Sequence, residues 1–229
     1  MMLGAATPMT DPLRYLAIGD SYTIGENVAI AERWPEQLAT RLRGAKVALC
    51  APVIIARTGW TTDELDAALN RAETGKAESM DGNDGALRPP YALVTLLIGV
   101  NNQFRGRDVE AYRGELRGLI ARAIGYAGEQ PGQVILLSIP DWSATPFGQD
   151  SGYDLAEMSA QIDAYNTVKR EESARAKVAF VDITESSRAA GSRPERVAGD
   201  GLHPSAREYA RWVDAVLPVA REALANSNV

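Results

Sequence analysis

At 229 residues the chain is long enough to bury a full core as one domain rather than two small ones. Its 45% hydrophobic and 24% charged residues suit a water-soluble globular protein, and its net charge of −6 argues against nucleic acid or an anionic membrane as main partner, since both attract basic surfaces. One cysteine, Cys50, and one histidine, His203, exclude an internal disulfide and leave too few nitrogen and sulfur ligands for a usual zinc site.

In chain order, residues 1–12 read as a flexible N-terminal segment. No basic stretch followed by an apolar one marks a secretory leader there, and the longest apolar run, 92–100, is too short to span a membrane. The default expectation is a soluble cytoplasmic protein, a trimmed leader aside. Residues 15–19 form a short apolar strand. Residues 34–42 have helical spacing, with Trp34, Leu38 and Leu42 on one face. The Val- and Ile-rich stretch 46–56 predicts a second strand, and 62–71 a helix. Residues 73–90 read as a polar surface excursion. The almost wholly apolar run 91–100 predicts a central strand buried on both faces. A helix is expected over 108–126, a strand over 133–140, a loop over 141–153, a long helix over 154–176, a strand over 178–184 and a last helix over 205–224, bent or split at Pro218. Five strands alternating with helices imply right-handed crossovers and a parallel sheet covered on both sides, in a single domain over 1–229.

In such a sheet a site lies beyond the carboxyl ends of the strands. Ser21 directly follows the first strand, Gly59 the second and Asn101 the third. His203 lies just before the last helix, whose Ser205-Ala206-Arg207-Glu208 has the form of a capping box. Thr61-Thr62-Asp63-Glu64 has the same form and sets Gly59 ahead of a helix N-terminus, where backbone N–H groups favour negative charge.

A serine hydroxyl is a poor nucleophile until a neighbouring base takes its proton, and an imidazole, with an ordinary pKa of about 6.5, suits that task near neutral pH. A carboxylate on the other ring nitrogen fixes the tautomer, and Asp200 lies three residues before His203. Acyl transfer also needs donors for the developing oxyanion. The Ser21 N–H, the Gly59 N–H and the Asn101 amide supply three. Trp60, Trp142 and Phe147 are candidates to line an acyl or aryl pocket. Asp20 reads as a structural cap rather than a triad member. No G-x-S-x-G surrounds a serine, and no G-x-x-x-x-G-K-[ST] or strand-terminal G-x-G-x-x-G is present.

Gly19-Asp20-Ser21-Tyr22-Thr23 resembles the first block of the SGNH, or GDSL, hydrolases, usually G-D-S-L-S. Gly59 matches that family's second-block glycine, Gly99-Val100-Asn101-Asn102 resembles its G-x-N-D block, and Asp200-Gly201-Leu202-His203 its D-x-x-H block. The blocks occur in the family's order over nearly the whole chain. The resemblance implies a three-layer α/β/α, flavodoxin-like fold with a parallel five-stranded sheet. It also implies Ser21 as nucleophile, Asp200 and His203 as the rest of the triad, and Ser21, Gly59 and Asn101 as oxyanion donors. Among the departures from the family's form, Tyr22 replaces Leu and Asn102 replaces Asp.

The expectation is a serine esterase that cleaves small-molecule carboxylic esters through an acyl-enzyme, with deacetylase and lysophospholipase variants open and no metal or cofactor needed. Two other readings compete. One is a metal-assisted phosphohydrolase using Asp20 and Asp200, the other a non-catalytic acyl- or carbohydrate-binding module on the same fold. Oligomeric state is left open.

Overall fold

The computed structural model describes residues 11–75 and 87–225. In chain order they form β1 (Tyr15–Asp20), α1 (Ser21–Ile24), α2 (Trp34–Gly44), β2 (Val53–Arg57), α3 (Thr62–Glu73), β3 (Leu93–Leu97), α4 (Val100–Phe104), α5 (Val109–Tyr126), β4 (Val134–Leu137), α6 (Pro146–Asp150), α7 (Leu155–Ala176), β5 (Ala179–Val181), α8 (Thr184–Gly191) and α9 (Ala206–Ala225). All five strands pair in parallel, in the order β2-β1-β3-β4-β5. Every residue of β1, β3 and β4 is buried, as expected for strands covered on both faces. α2 packs on α9, and α5 packs on α3 and α7, so helices cover the sheet in a three-layer α/β/α fold.

This strand order is the flavodoxin-like one, and the direction of winding reverses between β1 and β3. Gly19 at the end of β1 is level with Ala56 on β2 and Leu97 on β3. The segments leaving these three strands therefore start side by side at one edge.

Several boundaries differ from expectation, each for a local reason. The strand expected over 46–56 begins only at Val53, after Pro52, which has no N–H to pair; ahead of it a single bridge joins Leu49 to Leu13. The strand expected over 91–100 stops at Leu97. Gly99 then turns the chain at φ 125°, where a Cβ would lie 2.7 Å from the Tyr112 hydroxyl, and Val100 starts α4. The strand expected through 184 ends at Val181, because Asp182 accepts from the Thr184 N–H at 3.0 Å and starts α8. The expected loop 141–153 contains a 3-10 turn and α6, capped by Asp141 and Thr145. The capping box at Ser205 does not form. Ser205 Oγ donates to the Glu195 carbonyl at 2.8 Å, and Glu208 turns inward to accept from Arg196 Nε at 2.7 Å and Trp212 Nε1 at 2.9 Å. Pro218 lies inside α9 without splitting it, since Val213, Val216 and Ala220 stay buried on both sides of it. Residues 1–10 of the expected N-terminal segment and 76–86 of the expected excursion lie outside the described residues.

One carboxylate clamps α5 to α7. Glu172 accepts from Arg117 Nε at 2.8 Å, Arg113 Nη1 at 3.2 Å and Arg175 Nε at 2.6 Å. The Arg117 hydrogen bond, against the cost of burial and with help from Arg175 and Arg113, holds its carboxyl at about 2. The folded value lies below the unfolded one, so this stabilisation is present above the unfolded pKa of about 4.3 and is lost as pH falls toward the folded value. Chemical unfolding should show it: the urea midpoint drops between about pH 5 and pH 2, and Glu172→Gln both lowers the midpoint at pH 7 and flattens that drop. A Glu172→Gln profile that overlays wild type would contradict the clamp.

Candidate active site

The turn that carries Ser21 is set by Asp20. Its Oδ1 accepts from the Tyr22 N–H at 3.1 Å and caps the short helix α1, which leaves Ser21 at the head of that helix. Asp20 is fully buried. Burial pushes its carboxyl up to about 7, against the Tyr22 hydrogen bond and the charge of Lys169. Its place is the structural one expected, under the site rather than in it.

His203 brings the other end of the chain to Ser21. Its Nε2 lies 2.9 Å from Ser21 Oγ, and its Nδ1 lies 2.6 Å from Asp200 Oδ2. Asp200 is itself fixed: Oδ1 accepts from the Leu202 and His203 N–H groups at 3.0 Å each, and Oδ2 accepts from Asn27 Nδ2 at 2.6 Å. Burial works against ionisation of Asp200, but the hydrogen bonds from the His203 ring and from the Leu202 and His203 N–H groups outweigh it and hold the carboxyl below its ordinary range. Tyr22, which replaces the family's leucine, is buried with its ring centroid 4.9 Å from that of His203. It therefore forms one wall of the imidazole slot.

Asn101 and Gly59 face the same space. Gly59 holds φ 83°, a conformation that L side chains rarely adopt, and its carbonyl accepts from Arg105 Nη2 at 2.6 Å. Asn101 Nδ2 donates to the Trp60 carbonyl at 3.0 Å, which fixes the amide and leaves its second N–H to point elsewhere. Asn102, the second departure, is fully buried. Its Oδ1 accepts from the Thr62 N–H at 3.1 Å, and its Nδ2 donates to Thr62 Oγ1 at 2.6 Å and reaches Glu115 Oε2 at 3.4 Å. It thus locks α4 onto the start of α3.

A cavity of about 180 Å³ opens between these groups, bordered by Ser21, Gly59, Asn101, Phe104, Trp142 and Phe147, with His203 at its side. Trp142 is buried and donates from Nε1 to Gln103 Oε1 at 2.7 Å; Phe104 and Phe147 stand 43% and 39% exposed at the mouth. The Trp142 loop is anchored by Asp141, whose carboxylate accepts from Arg188 Nε at 2.9 Å and Ser159 Oγ at 2.6 Å. Trp60 does not border the cavity; its ring packs against the core, and it serves through its carbonyl. Phe104 at the cavity and Asn27 on Asp200 are contributors that sequence reading missed. Phe104 sits three residues after Asn101, a spacing that would have flagged it had the turn after β3 been read as helical.

Asp20 and Asp200 have separate partners: one lies in the core on the Tyr22 N–H, the other holds His203 and its neighbours. Among the described residues no group of three His, Cys, Asp or Glu is arranged to hold a metal ion, and no helix is long and apolar enough to cross a membrane.

Residues 17–211 match the model of the GDSL-like lipase/acylhydrolase family. No curated protein matches the sequence. The fold is similar to that of TesA, with a TM-score of 0.68 and 19% identity over 92% of this chain and 99% of that one. It is also similar to the acetylxylan esterase Axe2 of Geobacillus stearothermophilus, with a TM-score of 0.65 and 18% identity over 95% and 96% of the two chains. A third similar structure is the psychrotrophic esterase EstA of Pseudoalteromonas sp., with a TM-score of 0.62 and 16% identity over 93% and 99%.

The neutral amide at position 102 is required by its partners. Asn102→Asp would lose the donor to Thr62 Oγ1 and set a carboxylate beside Glu115. It should cost about 1–3 kcal/mol of stability at pH 8 and less at pH 5, where protonation relieves the repulsion. Urea unfolding at the two pH values measures both; an equal cost at both would contradict the contact with Glu115.

Proposed function

Since the chain belongs to the GDSL-like lipase/acylhydrolase family, and with it to the ester hydrolases, we propose that it cleaves carboxylic esters through an acyl-enzyme formed on Ser21. The observation that carries this reading is the unbroken relay Ser21 Oγ–His203 Nε2–His203 Nδ1–Asp200 Oδ2, at 2.9 and 2.6 Å. His203 Nε2 takes the hydroxyl proton as Ser21 Oγ attacks the ester carbonyl carbon. Asp200 holds the ring tautomer and stabilises the imidazolium. The oxyanion rests on the Ser21 N–H, the Gly59 N–H and the Asn101 amide, the last steadied by its bond to the Trp60 carbonyl. The imidazolium gives its proton to the leaving alkoxide, the alcohol departs, and a water deprotonated by the same nitrogen then releases the acid and restores Ser21.

The cavity supports a substrate class. Its apolar wall is Phe104, Trp142 and Phe147, and its volume of about 180 Å³ is comparable with the roughly 150 Å³ apolar cavity that takes up a benzene ring. The group it receives is therefore uncharged and about six carbons long or smaller. Acetyl, short acyl and compact aryl esters fit that description; long-chain lipid esters do not.

Hydrolysis of a p-nitrophenyl ester series tests both parts. Ser21→Ala and His203→Ala should each lower kcat/KM by about 10³-fold or more, and no second imidazole exists to substitute. In wild type, kcat/KM should hold from acetyl to about hexanoyl and fall beyond it, and Trp142→Ala should move that limit to longer chains. Retained activity in Ser21→Ala would sink the serine mechanism; a rate that climbs to palmitoyl would sink the short pocket. The pH profile adds a sign. Only the neutral imidazole can accept the Ser21 proton, and Asp200 stays ionised because its carboxyl is held low. So kcat/KM should rise with pH as the base loses its proton; a flat profile would argue against His203 as base.

A further inference from the structure

One charged side chain beneath the site takes part in no step above. Lys169 lies on α7, seven residues after Ile162 and four after Tyr165, which places it on the buried stripe of that helix, and it is fully buried. Its Nζ donates to the Ile98 carbonyl at 2.9 Å, an oxygen that also accepts from the Tyr112 hydroxyl at 3.2 Å. Ile98 immediately precedes Gly99, where the chain turns to present Asn101. The charge acting on Lys169 is that of Asp20, at the end of β1, one residue before Ser21. Asp20 Oδ2 is buried with no hydrogen-bond partner among the described residues.

Neither group is satisfied by hydrogen bonds alone. An ammonium out of water with a carbonyl acceptor, and a carboxylate with one oxygen unpaired, each retain a large desolvation cost that only an opposite charge offsets. Burial pushes Lys169 down to about 7 while Asp20 opposes that shift, so the two act on each other. The contact with Ile98 is the one that reaches the site: it fixes the carbonyl from which the chain turns at Gly99, and that turn carries Asn101.

We propose that Lys169 is a positioning residue for ester hydrolysis, holding the Ile98 carbonyl from which the turn that presents Asn101 departs. The proposal rests on the serine reading above. If Lys169 served the fold alone, its loss would lower stability and leave turnover unchanged. As a positioning residue it sets the distance between nucleophile and oxyanion donor, so its loss falls on kcat rather than KM.

The test uses Lys169→Met and Lys169→Gln. Glutamine keeps a donor for the Ile98 carbonyl. Steady-state hydrolysis of p-nitrophenyl acetate is read alongside near-UV circular dichroism and urea unfolding. We expect Lys169→Met to lose about 10- to 100-fold in kcat with KM within about threefold, and Lys169→Gln to lose less. Folded Lys169 variants with wild-type kcat would overturn the proposal, as would a Lys169→Gln variant that loses as much kcat as Lys169→Met. Failure of every Lys169 variant to fold would make Lys169 a residue of the fold and overturn it too. Ser21→Ala is the control that separates the two ideas. If it stays active, the serine reading fails; if it is inactive while the Lys169 variants match wild type, only this inference fails.

Discussion

Parallel pairing is the constraint on which the site depends. With all five strands pointing the same way, the segments that leave them emerge at one edge of the sheet, and the 2-1-3-4-5 order sets β1 between β2 and β3. Ser21, Gly59 and Asn101, spread over 81 residues of sequence, are neighbours because Gly19, Ala56 and Leu97 are in register. No crossover helix has to be placed precisely for this; the backbone ladder alone sets the spacing. His203, from the far end of the chain, is then brought 182 residues back to Ser21 by a loop that Asp200 and Asn27 hold from the side.

Around that edge the buried polar groups form a connected scaffold. Asn102 joins α4 to α3, Asp141 anchors the Trp142 loop to α8 through Arg188, and Glu208 joins α9 to the segment before His203 through Arg196. Each is a charged or amide group satisfied from more than one element, so each restricts how those elements sit relative to one another. The aromatic wall of the cavity stands on this scaffold. Trp142 is held by Gln103 while Phe104 and Phe147 remain open to solvent, which gives a firm floor and an accommodating mouth.

Much of this was legible in the amino-acid order, for physical reasons. Strands buried on both faces read as unbroken apolar runs, and the residues just past them fall at the active edge of any parallel sheet, so Ser21, Gly59 and Asn101 could be placed without coordinates. Asp200 and His203 were readable because their contact is local. What escaped has equally definite causes. α4, α6 and α8 are too short to show a period of 3.6. Ser205 to Glu208 has the letters of a capping box, but Glu208 has a better partner in Arg196, and a buried ion pair outweighs a terminal hydrogen bond. Trp60 has the right side chain in the wrong direction and contributes its carbonyl instead. Lys169 is the instructive miss. A lysine on the apolar stripe of a helix breaks the local pattern, and such a break marks a charge whose partner lies elsewhere in the fold.

The central claim is that Ser21 is the acylated residue, activated by His203. Covalent capture tests it most directly: incubation of the folded enzyme with a fluorophosphonate, followed by intact-mass measurement and peptide mapping. The account predicts one phosphonyl adduct per chain, carried by the peptide containing Ser21, with loss of esterase activity in step, and no adduct in Ser21→Ala or, on the same time scale, in His203→Ala. An esterase-active protein that takes up no label, or one labelled at another residue as its activity is lost, would contradict it.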